Sequence, residues 1–379
     1  MGKHALLGAS SAHRWLNCTP SARLEEKLEN TSSVYAQEGT DAHSLSEHKL
    51  REYLGMKSER PTSTFDSKDM EYFTDIYVDL AIDLITQARQ SCNDPIVLLE
   101  QKLDYSHYCE EGFGTGDLVI IADGVLDICD LKYGMGVPVY AKENPQMRLY
   151  ALGALALFDD LYDIQTVRMS ICQPRIENIS IDEISVEDLK NWAENVLRPA
   201  SEMAFKGEGE FEPSEYTCKF CRAKATCRAR SEKSLELAKW DFAIHPTLTD
   251  DEVQEILPKL NDLINWANDV YAYAQEKAIN EGFEWDGFKV VEGRSNRKYK
   301  DKQAVLKVCL ASGKTDEQLY TRELIGITDM EKLLGKKNFV DLLGNFIEKP
   351  QGKLALVATS DKRAAVNIDT ARDDFKEDV

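Results

Sequence analysis

Apolar residues in the N-terminal part of the chain recur at helical spacing. They predict a helical start that ends near Leu28, a second helix over residues 43–53, and a long helix over about residues 69–88. Gly55 follows the second helix directly, and glycine is a common helix stop because it adopts a left-handed backbone without steric cost. We therefore expect the chain to open with helices.

Short apolar runs then replace the helical spacing. The segments PIVLLEQKL, TGDLVIIA and VLDICDLKY are of strand length, and Asp123-Gly124 between the last two predicts a tight hairpin. Pro145 begins the helical segment QMRLYALGALALF, TVRMSICQP and NISIDEI predict further strands, and a helix is expected over about residues 186–205. This order predicts an α/β (α+β) fold, in which helices flank a central mixed sheet.

Helical spacing returns after Ser231 and continues to about Asn280. We therefore expect one domain over residues 1–235 and a second, mostly helical domain of unknown role over residues 236–379. Within the second domain, WDGFKVVEG predicts a strand.

Composition limits the classes of function. The formal net charge is −20, which argues against a protein that coats nucleic acid nonspecifically, because phosphate binding requires Lys and Arg. Any such contact is expected in local basic patches. The longest apolar run, residues 149–158, is too short to span a bilayer, so no membrane contact is expected. Nine cysteines without a signal peptide favour a reducing cytoplasm over a disulfide scaffold.

A carboxylate and an amine stand two residues apart in VLDICDLKY, at Asp130 and Lys132. Alternate strand residues share a face, and the hairpin brings Asp117 alongside, so two carboxylates and an amine should converge. Carboxylates bind Mg2+ or Mn2+, which activate water for attack on a phosphodiester. An Asp-x-Lys pair alone is common on surface strands. Ile128 and Leu131, however, indicate a strand buried on both faces, where charged residues usually have a function.

Cysteines bracket this region. Cys218, Cys221 and Cys227 lie together in CKFCRAKATC, where the two-residue gap allows the first two thiolates to bind one metal centre, and Cys18 lies near the start. Four thiolates suit either a 4Fe-4S cluster or a structural Zn2+ ion. Zinc modules usually gather paired cysteines locally, so one remote cysteine favours a 4Fe-4S cluster that holds the N-terminal helix to the end of the domain.

Four motifs occur in one order along the chain: Gly-x-x-x-His with a following acid, Gly-x-x-Asp, Asp-x-Lys and Gln-x-x-x-Tyr. Their residues are Gly39, His43 and Glu47, then Gly114 and Asp117, then Asp130 and Lys132, and finally Gln146 and Tyr150. With the bracketing cysteines, this order resembles the PD-(D/E)xK nucleases, and among them the RecB-like and AddB-like iron–sulfur branch. The resemblance covers about residues 10–230 and extends to proteins carried by phages.

The resemblance implies a restriction-endonuclease-like core and a role for each matching residue. It implies that Asp117 and Asp130 bind a metal ion, and that His43 is a further ligand that favours Mn2+. Lys132 would be the catalytic lysine that faces the phosphate. Glu100, on the preceding strand, is a weaker metal-ligand candidate.

Three of these residues have alternative interpretations. His43 is also consistent with an exposed histidine that Glu47 orients from one helical turn away. Gln146 and Tyr150 share a helix face, from which they would contact the DNA backbone or support the lysine. Tyr150 also fits the apolar core of that helix.

Two basic patches are candidates for DNA contact. Arg222 and Lys224 lie within the cysteine segment, and Arg294, Arg297 and Lys298 lie in GRSNRKYKDK. The alternative is a solvated surface, which for the second patch is equally supported.

The sequence therefore predicts a metal-dependent DNA nuclease, an exonuclease of phage-type recombination or replication in the cytoplasm of a bacterial host. Its substrate would be single- or double-stranded DNA, and its partners a single-strand-binding protein, a helicase or a recombinase. One alternative is a noncatalytic nucleic-acid-binding module that keeps the fold and the cluster. Another is a zinc-stapled adaptor in which the charged strand is coincidental.

Overall fold

The computed structural model describes residues 5–28, 34–158, 162–239, 250–291 and 301–312, with shorter stretches up to residue 347. By contacts the chain divides into two compact units, Met1–Phe283 and Glu284–Val379. The domain boundary expected at residue 235 stays a prediction. Residues 240–249, which adjoin it, lie outside the described residues.

Helices form the N-terminal part, as predicted. They are α1 (Ala12–Trp15), α2 (Ser21–Glu26), α3 (Val34–Tyr53) and α4 (Lys68–Ser91). The α4 helix begins where the Ser67 hydroxyl accepts a hydrogen bond from Met70 N, and Asp69 and Glu71 complement the positive end of the helix dipole.

Five strands form one mixed sheet with the order β1-β2-β3-β4-β5. They are β1 (Ile96–Asp104), β2 (Phe113–Ala122), β3 (Val125–Leu131), β4 (Thr166–Gln173) and β5 (Asn178–Ser185). The predicted hairpin joins β2 to β3, and Gly124 adopts the left-handed conformation (φ 75°) that this turn requires. Helix α5 (Pro145–Phe158) connects β3 to β4, and those two strands pair in parallel while the other pairs are antiparallel.

Both faces of the central strands are buried. Val119 and Ile121 pack with α5 on one face, whereas Leu118 and Ile120 pack with α4 on the other. The period of two along β2 therefore buries every residue of its second half, and β3 is buried from Leu126 to Leu131. Asp127 and Asp130 of β3 are thus held in a core.

Helices follow the sheet. They are α6 (Val186–Trp192), a π-helical turn (Ala193–Leu197), α7 (Arg198–Lys206), α8 (Glu215–Cys218), α9 (Arg228–Lys239), α10 (Asp250–Asn280) and α11 (Lys302–Ala311), with Ile327–Leu334 and Lys336–Leu343 beyond. The predicted fold class and the helical C-terminal region are confirmed. The strand expected in WDGFKVVEG is wrong for residues 285–291, which are turn and coil, and residues 292–300 lie outside the described residues. None of the helices in the described ranges has the length and apolar character that crossing a membrane requires.

Candidate functional site

Three side chains from three elements meet beside the middle of β1 and β2. His43 extends from α3, Glu100 from β1 and Asp117 from β2, and one potential ligand atom of each lies within 4.8 Å of the others. His43 Nδ1 is 3.2 Å from Asp117 Oδ1. All three line a small cavity that also contacts Glu47 and Tyr77. The structure therefore brings the weaker candidate, Glu100, into the same group as the two motif residues.

Strand register explains why the carboxylates meet. The pairs Leu99↔Leu118 and Gln101↔Gly116 flank Glu100 and Asp117, which occupy opposite positions on β1 and β2. Antiparallel pairing of β2 with β3 continues towards Asp130, one position beyond the pair Leu118↔Cys129. A row of three carboxylates thus crosses three adjacent strands. Like charges at opposite positions destabilise a sheet unless a cation or a proton compensates them.

The backbone at Glu100 is strained. Its φ of 49° lies in the left-handed region, which a glutamate rarely adopts. Such a conformation costs about 1–3 kcal/mol and persists only where the surrounding structure imposes it, most often at functional sites.

A hydrogen-bond network connects Asp130 to α5. Lys132 Nζ lies 2.8 Å from Asp130 Oδ2 and donates to Gln146 Oε1 at 3.0 Å. Gln146 Nε2 donates to Asp130 Oδ1 at 3.2 Å and to the Tyr150 hydroxyl at 2.9 Å. Asp117 Oδ2 accepts a hydrogen bond from Leu131 N at 2.7 Å. The structure brings Asp130, Lys132, Gln146 and Tyr150 into one network beside Asp117, in which Gln146 supports the lysine and Tyr150 is also a core residue.

The Tyr150 ring explains why residue 114 is a glycine. A Cβ atom at its position would lie 2.7 Å from Tyr150 Cε1. Gly39, by contrast, has no atom within 4 Å of such a Cβ. Glu47 pairs with Arg51, at 2.7 Å, rather than with His43.

The crowded carboxylates shift the pKa values of this group. Burial lowers the pKa of His43, but the Asp117 carboxylate outweighs it and raises the pKa to about 9. Burial, followed by the neighbouring Asp117, raises the pKa of Glu100 to about 7. Burial also raises the pKa of Asp130, against the opposing effect of Lys132. In the absence of a metal ion, protons on His43 and Glu100 therefore compensate part of the charge.

The donor set fits a divalent cation. It offers carboxylate oxygens, the ligands that Mg2+ and Mn2+ prefer, and one imidazole nitrogen, a ligand more typical of transition metals than of Mg2+. Asp130 is ion-paired with Lys132 and does not belong to the tightest group, which contains His43, Glu100 and Asp117.

The four predicted cysteines line a second cavity. Cys18, Cys218, Cys221 and Cys227 all contribute to its wall, together with Arg14, Phe211 and Lys224. Burial raises the pKa of Cys18, and that of Cys221 to about 12. Among the described residues, which include all four cysteines, the group of side chains close enough to hold one metal ion is His43, Glu100 and Asp117, and it contains no cysteine. The structure therefore has a common cavity and not a closed ligand set for one small ion.

Protein contacts also join the N-terminal helices to the cysteine segment. The buried Glu25 carboxylate pairs with Arg14 at 2.6 Å and accepts a hydrogen bond from Arg222 N at 2.6 Å. Thr19 Oγ1 donates to Glu208 O at 2.6 Å. The predicted connection between the two ends of the domain thus exists in the protein itself.

The head groups of the first basic patch have protein partners. Arg222 donates to Leu28 O at 2.9 Å, and Lys224 Nζ lies 2.7 Å from Asp269 of α10. Their contact with DNA stays a prediction. The residues of the second patch lie outside the described residues: Arg294, Arg297 and Lys298.

Arg230, one of the basic residues beside the cysteine segment, is buried and pairs with Asp269 at 2.6 Å. Sequence reasoning did not identify two other buried groups near these sites, Glu25 and Tyr77 of the metal-site cavity. Tyr77 occupies a core position in the helical spacing of α4, and nothing in that spacing distinguishes it from a packing residue.

Comparison with known proteins gives two findings. Residues 4–364 match the model of a family described as a protein of unknown function (DUF2800). A solved structure titled "Crystal structure of SSO0001" is similar over 56% of this chain and 95% of that chain, at 14% identity and a TM-score of 0.24. A similarity at that TM-score supports no conclusion about fold or function.

Proposed function

The chain belongs to the DUF2800 family, and we propose that it is a metal-dependent DNA nuclease of the PD-(D/E)xK type. The observation that carries the proposal is the row of carboxylates on β1, β2 and β3, with His43 beside Glu100 and Asp117 and with Lys132 beside Asp130. An ion pair that only stabilises the fold would need a single carboxylate to neutralise Lys132. Three carboxylates and a histidine at one place are better explained by a bound cation.

Each residue then has a defined task. His43, Glu100 and Asp117 would hold a Mg2+ or Mn2+ ion, with Asp130 as a further ligand. A bound ion of this kind lowers the pKa of water and neutralises charge on the phosphodiester.

Lys132 Nζ lies between Asp130 Oδ2 and Gln146 Oε1, and 26% of its side chain is exposed. From there it can face the scissile phosphate and stabilise the charge that develops on it. Gln146 fixes the direction of the ammonium group, and Tyr150 fixes the amide of Gln146.

We also propose that the four cysteines hold a 4Fe-4S cluster. All four line one cavity, and Cys18 reaches it from the opposite end of the domain. Zinc modules usually gather paired cysteines locally, so one remote cysteine supports the cluster over zinc. The cluster would reinforce the contact that Glu25 makes with Arg222 N.

In its cellular context, we propose an exonuclease of phage-type recombination or replication in the bacterial cytoplasm. It would act on single- or double-stranded DNA, beside a single-strand-binding protein, a helicase or a recombinase. This assignment rests on the motif resemblance.

The test is cleavage of end-labelled single- and double-stranded DNA by anaerobically purified protein with Mg2+ or Mn2+. Lys132→Ala should abolish cleavage while the protein stays folded, and exposed Lys57→Ala, the matched control, should cleave as the wild type does. Shortening of the product from one end would establish an exonuclease and its polarity. If the wild type and Lys132→Ala bind DNA equally and neither cleaves it, the protein is a noncatalytic binding module.

A further inference from the structure

Tyr77 carries a buried hydroxyl with no partner. Its side chain is 2% exposed, and the hydroxyl makes no hydrogen bond within the part of the chain that the structure describes. Buried polar groups are hydrogen-bonded in more than about nine cases in ten. Leaving one unsatisfied costs about 1–3 kcal/mol, so the hydroxyl requires an explanation.

Packing alone does not account for it. Tyr77 belongs to the face of α4 that packs against the sheet, beside Val78, Ala81 and Ile85. A phenylalanine would fill the same space at this position. The hydroxyl is therefore the one group that tyrosine adds. Any role of Tyr77 beyond packing must involve the surroundings of that hydroxyl.

The ring ends at the candidate metal site. Tyr77 lines the same cavity as His43, Glu100 and Asp117. A tyrosine hydroxyl keeps its proton at neutral pH and can therefore donate a hydrogen bond. A neutral donor with no protein acceptor, next to a group of metal ligands, suits a water molecule in the cavity.

We infer that Tyr77 is a positioning residue of the metal site, whose hydroxyl donates a hydrogen bond to a water held in the cavity beside Glu100 and Asp117. The inference rests on the metal site of the proposed function. It adds a donor from α4, an element to which the motif resemblance assigns no role. Outer contacts of this kind typically change metal affinity about 10- to 100-fold when they are removed.

The test is Tyr77→Phe, which removes only the hydroxyl. Mn2+ affinity, measured from the electron paramagnetic resonance signal of the free ion, should fall about tenfold or more. The stability of the metal-free protein should be unchanged or slightly higher, because an unsatisfied group is lost. Ser170→Ala is the matched control, since Ser170 also has a buried hydroxyl without a partner but does not line the cavity. It should leave Mn2+ affinity unchanged.

Asp117→Ala separates the possible failures. If it abolishes Mn2+ binding while Tyr77→Phe binds as the wild type does, the role of Tyr77 is refuted and the metal site stands. If Tyr77→Phe loses as much free energy of unfolding as it loses free energy of Mn2+ binding, Tyr77 has a packing role. That result would also refute the inference. If the wild type binds no Mn2+, or Asp117→Ala binds it equally well, the metal site fails, and the proposed function and the inference fail with it.

Discussion

Gly114 should tolerate no side chain, because the ring of Tyr150 occupies the space. An alanine Cβ would lie 2.7 Å from Tyr150 Cε1 and 3.4 Å from Ala9 Cβ. The ring cannot withdraw easily, since it is buried in the core and its hydroxyl accepts a hydrogen bond from Gln146. We therefore expect Gly114→Ala to lower the free energy of unfolding by about 1–3 kcal/mol, the usual cost of overpacking.

Urea unfolding measures this cost, and a second substitution shows its origin. In a Tyr150→Leu background the clash is removed, so Gly114→Ala should cost less than about 0.5 kcal/mol, and the difference between the two backgrounds is the interaction energy of the two positions. Gly39→Ala is the matched control, because no atom lies within 4 Å of its added Cβ. Within helix α3 that change should raise the free energy of unfolding by up to about 1 kcal/mol.

Two results would refute the steric explanation. One is a Gly114→Ala protein as stable as the wild type. The other is an equal penalty with and without the Tyr150 ring, which would place the clash elsewhere. If Gly39→Ala raises stability yet reduces DNA cleavage, the open space at Gly39 serves the substrate rather than the fold.

Three further predictions concern the metal site, the buried Arg230 and the cysteines. Because the raised pKa values of His43 (about 9) and Glu100 (about 7) reflect protons that a cation must displace, Mn2+ affinity should rise about 100- to 1,000-fold from pH 6 to pH 8. Calorimetric titration at both pH values tests this, and a change below tenfold would contradict it. Arg230→Ala breaks a buried ion pair and should lower the free energy of unfolding by about 3 kcal/mol, whereas exposed Arg228→Ala should change it little; equal urea midpoints would refute the difference. Cys227→Ser should remove most of the iron and acid-labile sulfide from anaerobically purified protein, and zinc in the wild type instead would refute the cluster.

Local patterns in the sequence were sufficient for most of the fold. The helical spacing and the Asp123-Gly124 turn predicted the helices and the hairpin, and the hairpin in turn predicted that Asp117 and Asp130 lie side by side. Alternation along a strand is a short-range property, so a single sequence contains it. For this reason the sequence also predicted that the Gly-x-x-Asp and Asp-x-Lys motifs lie close together in the structure.

Long-range properties were not predictable in the same way. The left-handed backbone of Glu100 and the position of Tyr77 depend on how β1 and α4 meet the rest of the core. The partners of Lys224 and Arg222 lie far along the chain, so local charge density suggested a free basic surface. The segment FKVVEG has residues that prefer strands, but a strand also needs a neighbour with which to pair, and residue preference does not specify one.

The hydrogen bond from Arg222 N to Glu25 joins residues that are 197 positions apart. At the usual rate of protein synthesis, about 5–20 residues per second, the ribosome adds Glu25 to the chain about 10–40 s before it adds Arg222. During that interval the cysteine segment, which the N-terminal helices contact in the folded protein, has not been made. The Glu25 carboxylate then has Arg14 as its only partner of the two. Completion of this domain is therefore a late event, which waits for the cysteine segment to leave the exit tunnel.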